Sequence, residues 1–406
     1  MTRKPVNEIT PIAVSENGRY FVRTDGEPFF WLGDTQWELF RLFTLAEVAD
    51  ILDSRHRLGF TCLQIMLVGV DPLENVEGQL PWLDGDPTRP NEKYFEHVDR
   101  VIALCGRYEE LALVVGVYHT VRMKGVVHTG NARSWARWVG QRYAGVPSIV
   151  WSMYPKALPE DVGVCRELAR GLREADGGSH LITAHPDPSP ASSSVILHDE
   201  AWLAFNCIQV FSHLDLIHPM VTSDYGRQPV KPVVMAEGAY EAGPEYGFDV
   251  TPLWVRRQAY YSYLVGGWHT YGHNHSWRVP ADWREALDSP GSRQMGILKN
   301  VLPARSEWWR LVPDQSLLVA GGQTDGRIVN LAARHAEGRW AMVYAASPSR
   351  FSVAMDKLGG GVVCEAFWVD PRTGDCSETT RYANSGVRAL ATPDGWEDGL
   401  LVLEVS

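Results

Sequence analysis

Eight apolar runs constrain this 406-residue chain more than any other feature. They cover residues 29–35, 61–67, 111–118, 148–153, 180–184, 205–210, 232–236 and 267–271, and most are followed by a helix-like pattern. Apolar runs alternating with helical stripes are the mark of a parallel α/β fold. A doubly wound sheet satisfies the alternation too, but no Gly-rich phosphate loop follows any run. The runs end instead on chemistry: Asp34, His119, Tyr154-Pro155-Lys156, His185-Pro186-Asp187, Gln209, Glu237, and Gly272-His273-Asn274-His275-Ser276-Trp277. Polar groups at the carboxyl end of nearly every strand are what an active (β/α)8 barrel requires. The expected fold is therefore a TIM barrel.

The seventh run shows the logic most clearly. Val233-Val234-Met235-Ala236 follows Pro232 and stops at Glu237-Gly238. Such a run reads as a fully buried parallel strand. An acid at its end is costly in a core and useful in a site. Between the runs, Thr44 and Glu47 make a capping box before an apolar stripe, as at a helix start. Pro159 and Pro252 open further helices, where a missing N–H does no harm. Residues 12–31 read as a small antiparallel sheet with turns at Glu16-Asn17-Gly18 and Asp25-Gly26. The polar stretch 71–91 is long for a connection and is expected to overhang the strand ends. After residue 306 the texture becomes short β-like runs between turns, as in an antiparallel β-sandwich. The expected domains are 1–305, the barrel with its short β leader, and 306–406, the sandwich.

The formal net charge is −11 and no basic patch is visible, which argues against nucleic acid and anionic membranes as partners. No apolar run spans a bilayer, and residues 1–14 lack the apolar core of a leader. A cytoplasmic location is expected. The six cysteines show no CxxC spacing, so free thiols are expected, with no metal and no cofactor. Cys364 and Cys376 flank a hairpin turn and could pair, but free thiols are the expectation for them too. Sixteen tryptophans suit sugar stacking, and equally a large core.

The order of motifs resembles the apiosidase-like glycoside hydrolases, barrels followed by a collagen-binding-type β-sandwich. The resemblance rests on Val14-Ser15-Glu16-Asn17-Gly18-Arg19-Tyr20, Phe30-Trp31-Leu32-Gly33-Asp34-Thr35 with Trp37-Glu38-Leu39-Phe40, and Asp86-Pro87-Thr88-Arg89-Pro90-Asn91. It continues in His180-Leu181-Ile182-Thr183, Ser192-Ser193-Ser194, His198-Asp199-Glu200, Thr270-Tyr271-Gly272-His273-Asn274 and Trp308-Trp309 with Leu311-Val312-Pro313-Asp314-Gln315. It implies retaining or retaining-like, exo-acting hydrolysis of a small oligosaccharide or glycoside by two carboxylates. One maps to Glu237. The other is an Asp two glycines beyond an Ile-Val-Trp strand; here Ile149-Val150-Trp151 leads instead to Tyr154-Pro155-Lys156.

Lys156 thus stands where an acid is expected. Glycoside cleavage needs a proton for the leaving oxygen and a carboxylate for the anomeric centre. A lysine donates poorly unless burial lowers its pKa. Asp187, His119 and His185 are the candidate donors beside Glu237, with Glu160 and Asp161 further off. Asp34, Gln209, His273 and Asn274 offer donors and acceptors for vicinal hydroxyls. Trp37, Tyr240 and Trp277 offer stacking walls, and Lys156 a contact for a substrate charge. The alternative function is a sugar-binding relative with altered or lost catalysis.

Overall fold

The computed structural model describes residues 11–108 and 110–406. The reading of residues 1–10 as free of a leader lies outside them. Three short strands, β1 (Ile12–Val14), β2 (Phe21–Arg23) and β3 (Pro28–Phe29), pair antiparallel in sequence order. Phe21 packs against Trp31, Phe205 and Trp268 at centroid distances of 4.8, 5.1 and 6.0 Å. Trp31 immediately precedes the first barrel strand, so this sheet closes the amino-terminal end of the barrel.

The barrel strands follow: β4 (Leu32–Thr35), β5 (Cys62–Met66), β6 (Ala112–His119), β7 (Ile149–Tyr154) and β8 (Ile182–Ala184). After the two-residue β9 (Ala191–Ser192) come β10 (Leu203–Phe211), β11 (Val233–Gly238) and β12 (Trp268–Tyr271). Apart from β9, which pairs antiparallel with β10, each pairs in parallel with the next: β8 pairs with β10, β10 with β11, and β12 with β4, which closes the ring. The eight runs read from the sequence are the eight barrel strands.

The outer layer is α1 (Leu45–Arg57), α2 (Glu92–Cys105), α3 (Ala132–Tyr143), α4 (Val162–Asp176), α5 (Ser194–Leu197), α6 (Ile217–Tyr225), α7 (Pro252–Leu264), α8 (Trp283–Ala286) and α9 (Pro290–Val301). The capping box forms as read: Thr44 accepts from Glu47 N, and the Glu47 carboxylate accepts from Thr44 N. The 71–91 segment packs in part against the helix layer. Trp82 packs edge-on to Trp135 of α3, and Glu77 pairs with Arg100 of α2 at 2.6 Å. An indole and a partly apolar segment find more burial against the helices than over an open mouth.

The remaining strands are β13 (Leu311–Pro313), β14 (Leu318–Ala320), β15 (Leu331–His335), β16 (Trp340–Ala345), β17 (Arg350–Ala354), β18 (Val363–Val369), β19 (Thr380–Ala383), β20 (Val387–Ala391) and β21 (Gly399–Val405). They form antiparallel sheets of six (β13-β15-β16-β21-β18-β19) and three (β14-β17-β20) strands around Leu317, Val343, Val353, Met355 and Leu401. All six cysteines are free thiols. No described helix is long and apolar enough to cross a membrane.

The helix α7 joins the two parts. Arg256 and every residue from Gln258 to Leu264 are buried, so the helix has little solvent face. Tyr260 stacks on Tyr344 of the sandwich at 4.4 Å.

Candidate active site

Side chains alternate along a strand, so every second residue near a strand's end enters the barrel mouth. Glu237 is the penultimate residue of β11. Its side chain is 12% exposed, and His185 Nε2 lies 3.2 Å from its Oε2. That nitrogen has no aligned hydrogen-bond partner, while Nδ1 of the same ring lies 3.2 Å from the carbonyl of Pro186.

Behind this pair stands an aromatic stack. Tyr154, the last residue of β7, lies between His119 (5.7 Å, 17° between planes) and His185 (4.4 Å, 26°). Trp37 meets Tyr154 and His185 edge-on at 5.3 and 5.9 Å. A Cβ on Gly116 of β6 would sit 2.8 Å from the Tyr154 ring, so a glycine is what lets the stack close. Trp37 Nε1 donates to Tyr240 Oη at 2.9 Å. Packing fixes each of these rings, and none depends on a loop alone for its place.

The charges act on one another. Burial depresses the proton affinity of His119 below its ordinary value, against the opposing pull of Asp187 and Glu237 and with Arg122 and His185 adding to it. One electrostatic neighbourhood therefore contains His119, His185, Asp187 and Glu237. Burial, and after it the Glu237 charge, pushes the phenols of Tyr154 and Tyr240 well above their usual range. Both stay protonated and able to donate. Burial holds His273 down to about 4, hence neutral at pH 7.

Lys156 and Asp187 lie side by side, because the ladder between β7 and β8 continues past both strands. Asp187 N donates to Pro155 O at 2.9 Å, and Ala157 N to Asp187 O at 3.3 Å. Asp161, nearly buried, accepts from Lys156 N at 2.6 Å and from Thr120 Oγ1 at 3.1 Å. It shapes this loop and is occupied in doing so. Gln209 on β10 and Asn274 after β12 are buried with their amide oxygens unpartnered. His273 Nδ1 accepts from His275 N at 3.1 Å.

Three residues lie deeper than their expected roles ask. Asp34 is fully buried, 3.4 Å from Arg55 of α1 and accepting from Gln36 Nε2 at 2.7 Å. Its carboxylate is turned to the helix layer. Burial raises its pKa, and Arg55 opposes the rise. Tyr240 is not an open wall, since its ring is buried against Gly272, where a Cβ would come within 2.5 Å of it. Trp37, nearly buried as well, is its hydrogen-bond partner, and the two back Glu237. Trp277 is half-buried, and the Arg278 guanidinium lies 4.2 Å from its ring centroid.

Two residues of the site were given no role in the sequence reading. Tyr154 has a buried, unpartnered hydroxyl in the middle of the stack; counting by twos along β7 from Val150 would have found it. Tyr246 also has an unpartnered buried hydroxyl, with its pKa raised by burial first and by Glu237 next. It lies in a loop with no periodic signal. Unpaired buried polar atoms are uncommon in folded proteins. Here Tyr154, Gln209, Asn274 and Tyr246 each bring one to the strand ends, a set suited to a ligand rich in hydroxyls.

The family model described as Apiosidase-like, catalytic domain, matches residues 15–310, and that described as "Putative collagen-binding domain of a collagenase" matches residues 312–404. A solved structure named Glycoside hydrolase is similar over 100% of this chain and 99% of that one, with TM-score 0.89 and 25% identity. A glycoside hydrolase family 5 protein from Bacteroides vulgatus ATCC 8482 is similar over 100% and 95%, with TM-score 0.88 and 24% identity. A glycoside hydrolase family 5 mannosidase from Rhizomucor miehei is similar over 65% and 86%, with TM-score 0.51 and 13% identity. No curated protein matches.

Proposed function

The chain belongs to the apiosidase-like family, and from that premise we propose a retaining, exo-acting glycosidase with Glu237 as nucleophile and Asp187 as acid/base. The observation that carries the reading is Glu237 at the end of β11, in contact with His185 and among unpartnered polar atoms. His185 keeps one carboxylate oxygen in place and leaves Oε1 for the anomeric carbon. The oxygen attacks, the glycosidic bond breaks, and the leaving oxygen takes a proton from the acid. Water, deprotonated by the same group, then releases the sugar.

Asp187 is favoured for that second role by the ladder. Lys156 occupies the family's acid position, and Asp187 is its direct neighbour on the next strand. The acid has moved sideways by one strand at the same height. His185 is engaged with Glu237, and His119 is held neutral by its burial, which makes it a weak donor at pH 7. The surroundings of Glu237 are narrow: Trp37, Tyr154 and Tyr240 are nearly buried. That supports entry of a chain end over a chain middle. Gln209, His273, Asn274 and Tyr246 are the proposed hydroxyl contacts, Trp277 the outer wall, and Lys156 a contact on the leaving group.

A panel of aryl pyranosides and furanosides tests this, with the first-formed anomer read by NMR. Glu237→Gln should lower kcat by roughly a thousandfold or more, and the product should keep its configuration. Asp187→Asn should slow poor leaving groups far more than activated ones. An inverted product, or full activity in Glu237→Gln, sinks the nucleophile assignment. Binding without turnover of any member supports the altered, sugar-binding alternative, for which Lys156 at the acid position is the specific observation.

A further inference from the structure

Two polar side chains on α7, Arg256 and Gln258, are almost entirely buried. With 3.6 residues per turn, positions two apart face roughly opposite ways on a helix. Arg256 faces the sandwich. Its Nε donates to Asp398 Oδ2 at 3.0 Å and its Nη2 to Asp398 Oδ1 at 2.9 Å, while Tyr344 donates to the same carboxylate at 2.6 Å. Gln258 faces the barrel. Its Oε1 accepts from Ala239 N at 2.8 Å, and its Nε2 donates to Ala239 O at 3.0 Å.

Ala239 lies two residues beyond Glu237 and immediately before Tyr240. One side-chain amide therefore uses both its donor and its acceptor on the backbone that joins the two. The fit is close: a Cβ on Gly238 would fall 2.5 Å from Gln258 Oε1. The far end of the same loop is fastened separately. The Glu241 carboxylate accepts from Ser289 Oγ at 2.8 Å and from Gly291 N at 3.0 Å, and also from Tyr271. Before Glu237, Gln64 Nε2 donates to Ala236 O at 3.2 Å; Gln258 is the side chain that holds the backbone between Glu237 and Tyr240.

We propose that Gln258 is a positioning residue for Glu237, fixing the nucleophile and Tyr240 through the backbone of Ala239 while Asp398 and Arg256 moor the same helix to the β-sandwich. The proposal rests on the reading of Glu237 as nucleophile. Displacements of about 1 Å at a reacting group cost on the order of a hundredfold in rate, so a backbone clamp beside it belongs to the catalytic geometry.

The test uses the full chain with Gln258→Leu and Gln258→Glu. In the Leu variant, amide exchange across residues 236–243 should rise at least about tenfold, with β10 unchanged. On whichever aryl glycoside the wild type cleaves, kcat per folded molecule should fall about ten- to a hundredfold with KM nearly constant. The Glu variant adds a signature that loss of stability alone does not produce. A protonated carboxyl can both donate to Ala239 O and accept from Ala239 N, and a carboxylate can only accept. Its kcat relative to wild type should therefore climb as pH falls from 8 to 5. Unchanged exchange at 236–243, or a Leu variant as fast as wild type, overturns the proposal. If Gln258→Leu does not fold, Gly238→Ala, which drives the amide off the loop, must give the same exchange and rate changes. If the wild type cleaves no glycoside, the hydrolase reading falls, and the exchange data alone decide whether Gln258 holds the Glu237 loop.

Discussion

Asp34 and Glu237 both end or nearly end a barrel strand, and their surroundings give them opposite work. Asp34 is sealed against Arg55, whose guanidinium also lies 4.8 Å from the Phe60 ring. Removing one partner of a buried ion pair leaves the other charge without compensation. Asp34→Ala should cost about 3–5 kcal/mol in denaturant unfolding, with KM of the folded fraction unchanged. A large rise in KM at constant stability would identify Asp34 as a sugar ligand. This is also where reading from residues alone stops. The sequence shows that an acid follows an apolar run; a single step of register decides whether it enters the barrel or the helix layer. Glu237 was legible because a glycine and a loop follow it, so that little but the mouth was left to face. His185, Lys156 and Asp187 were legible as strand-end residues. Their adjacency was not, because it depends on pairing between β7 and β8 beyond the strands themselves.

Among the elements, strands were easier to read than helices. All eight barrel strands announce themselves as apolar runs because both their faces are buried. The helix α6 does not: Pro219 sits in its first turn, where it reads as a break, and its buried apolar positions are few, Ile217 and Val221. The buried side of α9 includes Gly291, Ser292 and Gln294, a polar stripe that serves Glu241 and Arg256 and hides the period. Connections carry the finest geometry. Gly272, just after β12, leaves room for the Tyr240 ring. Gly272→Ala should force that ring away from Trp37 and Glu237, at about 1–3 kcal/mol of overpacking. The expected result is a kcat at least tenfold lower with a modest fall in Tm. Unaltered kcat would show that the Tyr240 position is not needed for turnover.

At the scale of the whole molecule, this glycoside hydrolase is one mechanical body. Asp398 is fully buried beneath Arg256 and Tyr344, and Trp308, just ahead of β13, packs edge-on to Phe30 at the closed end of the barrel at 5.3 Å. Heating should unfold barrel and sandwich in a single transition. Asp398→Ala should lower its midpoint and separate sandwich from barrel, as differential scanning calorimetry would resolve. Two independent transitions in the wild type would contradict the reading of the interface. The helix α7 also bears on how such proteins diversify. Domains that recombine freely meet through surfaces each could leave to water. Here one helix supplies wall to both partners and has no side to spare. A foreign sandwich grafted onto this barrel would have to bring its own acid opposite Arg256 and its own ring opposite Tyr260. The two halves are therefore expected to change together through descent, residue for residue along α7, and seldom to be exchanged as separate parts.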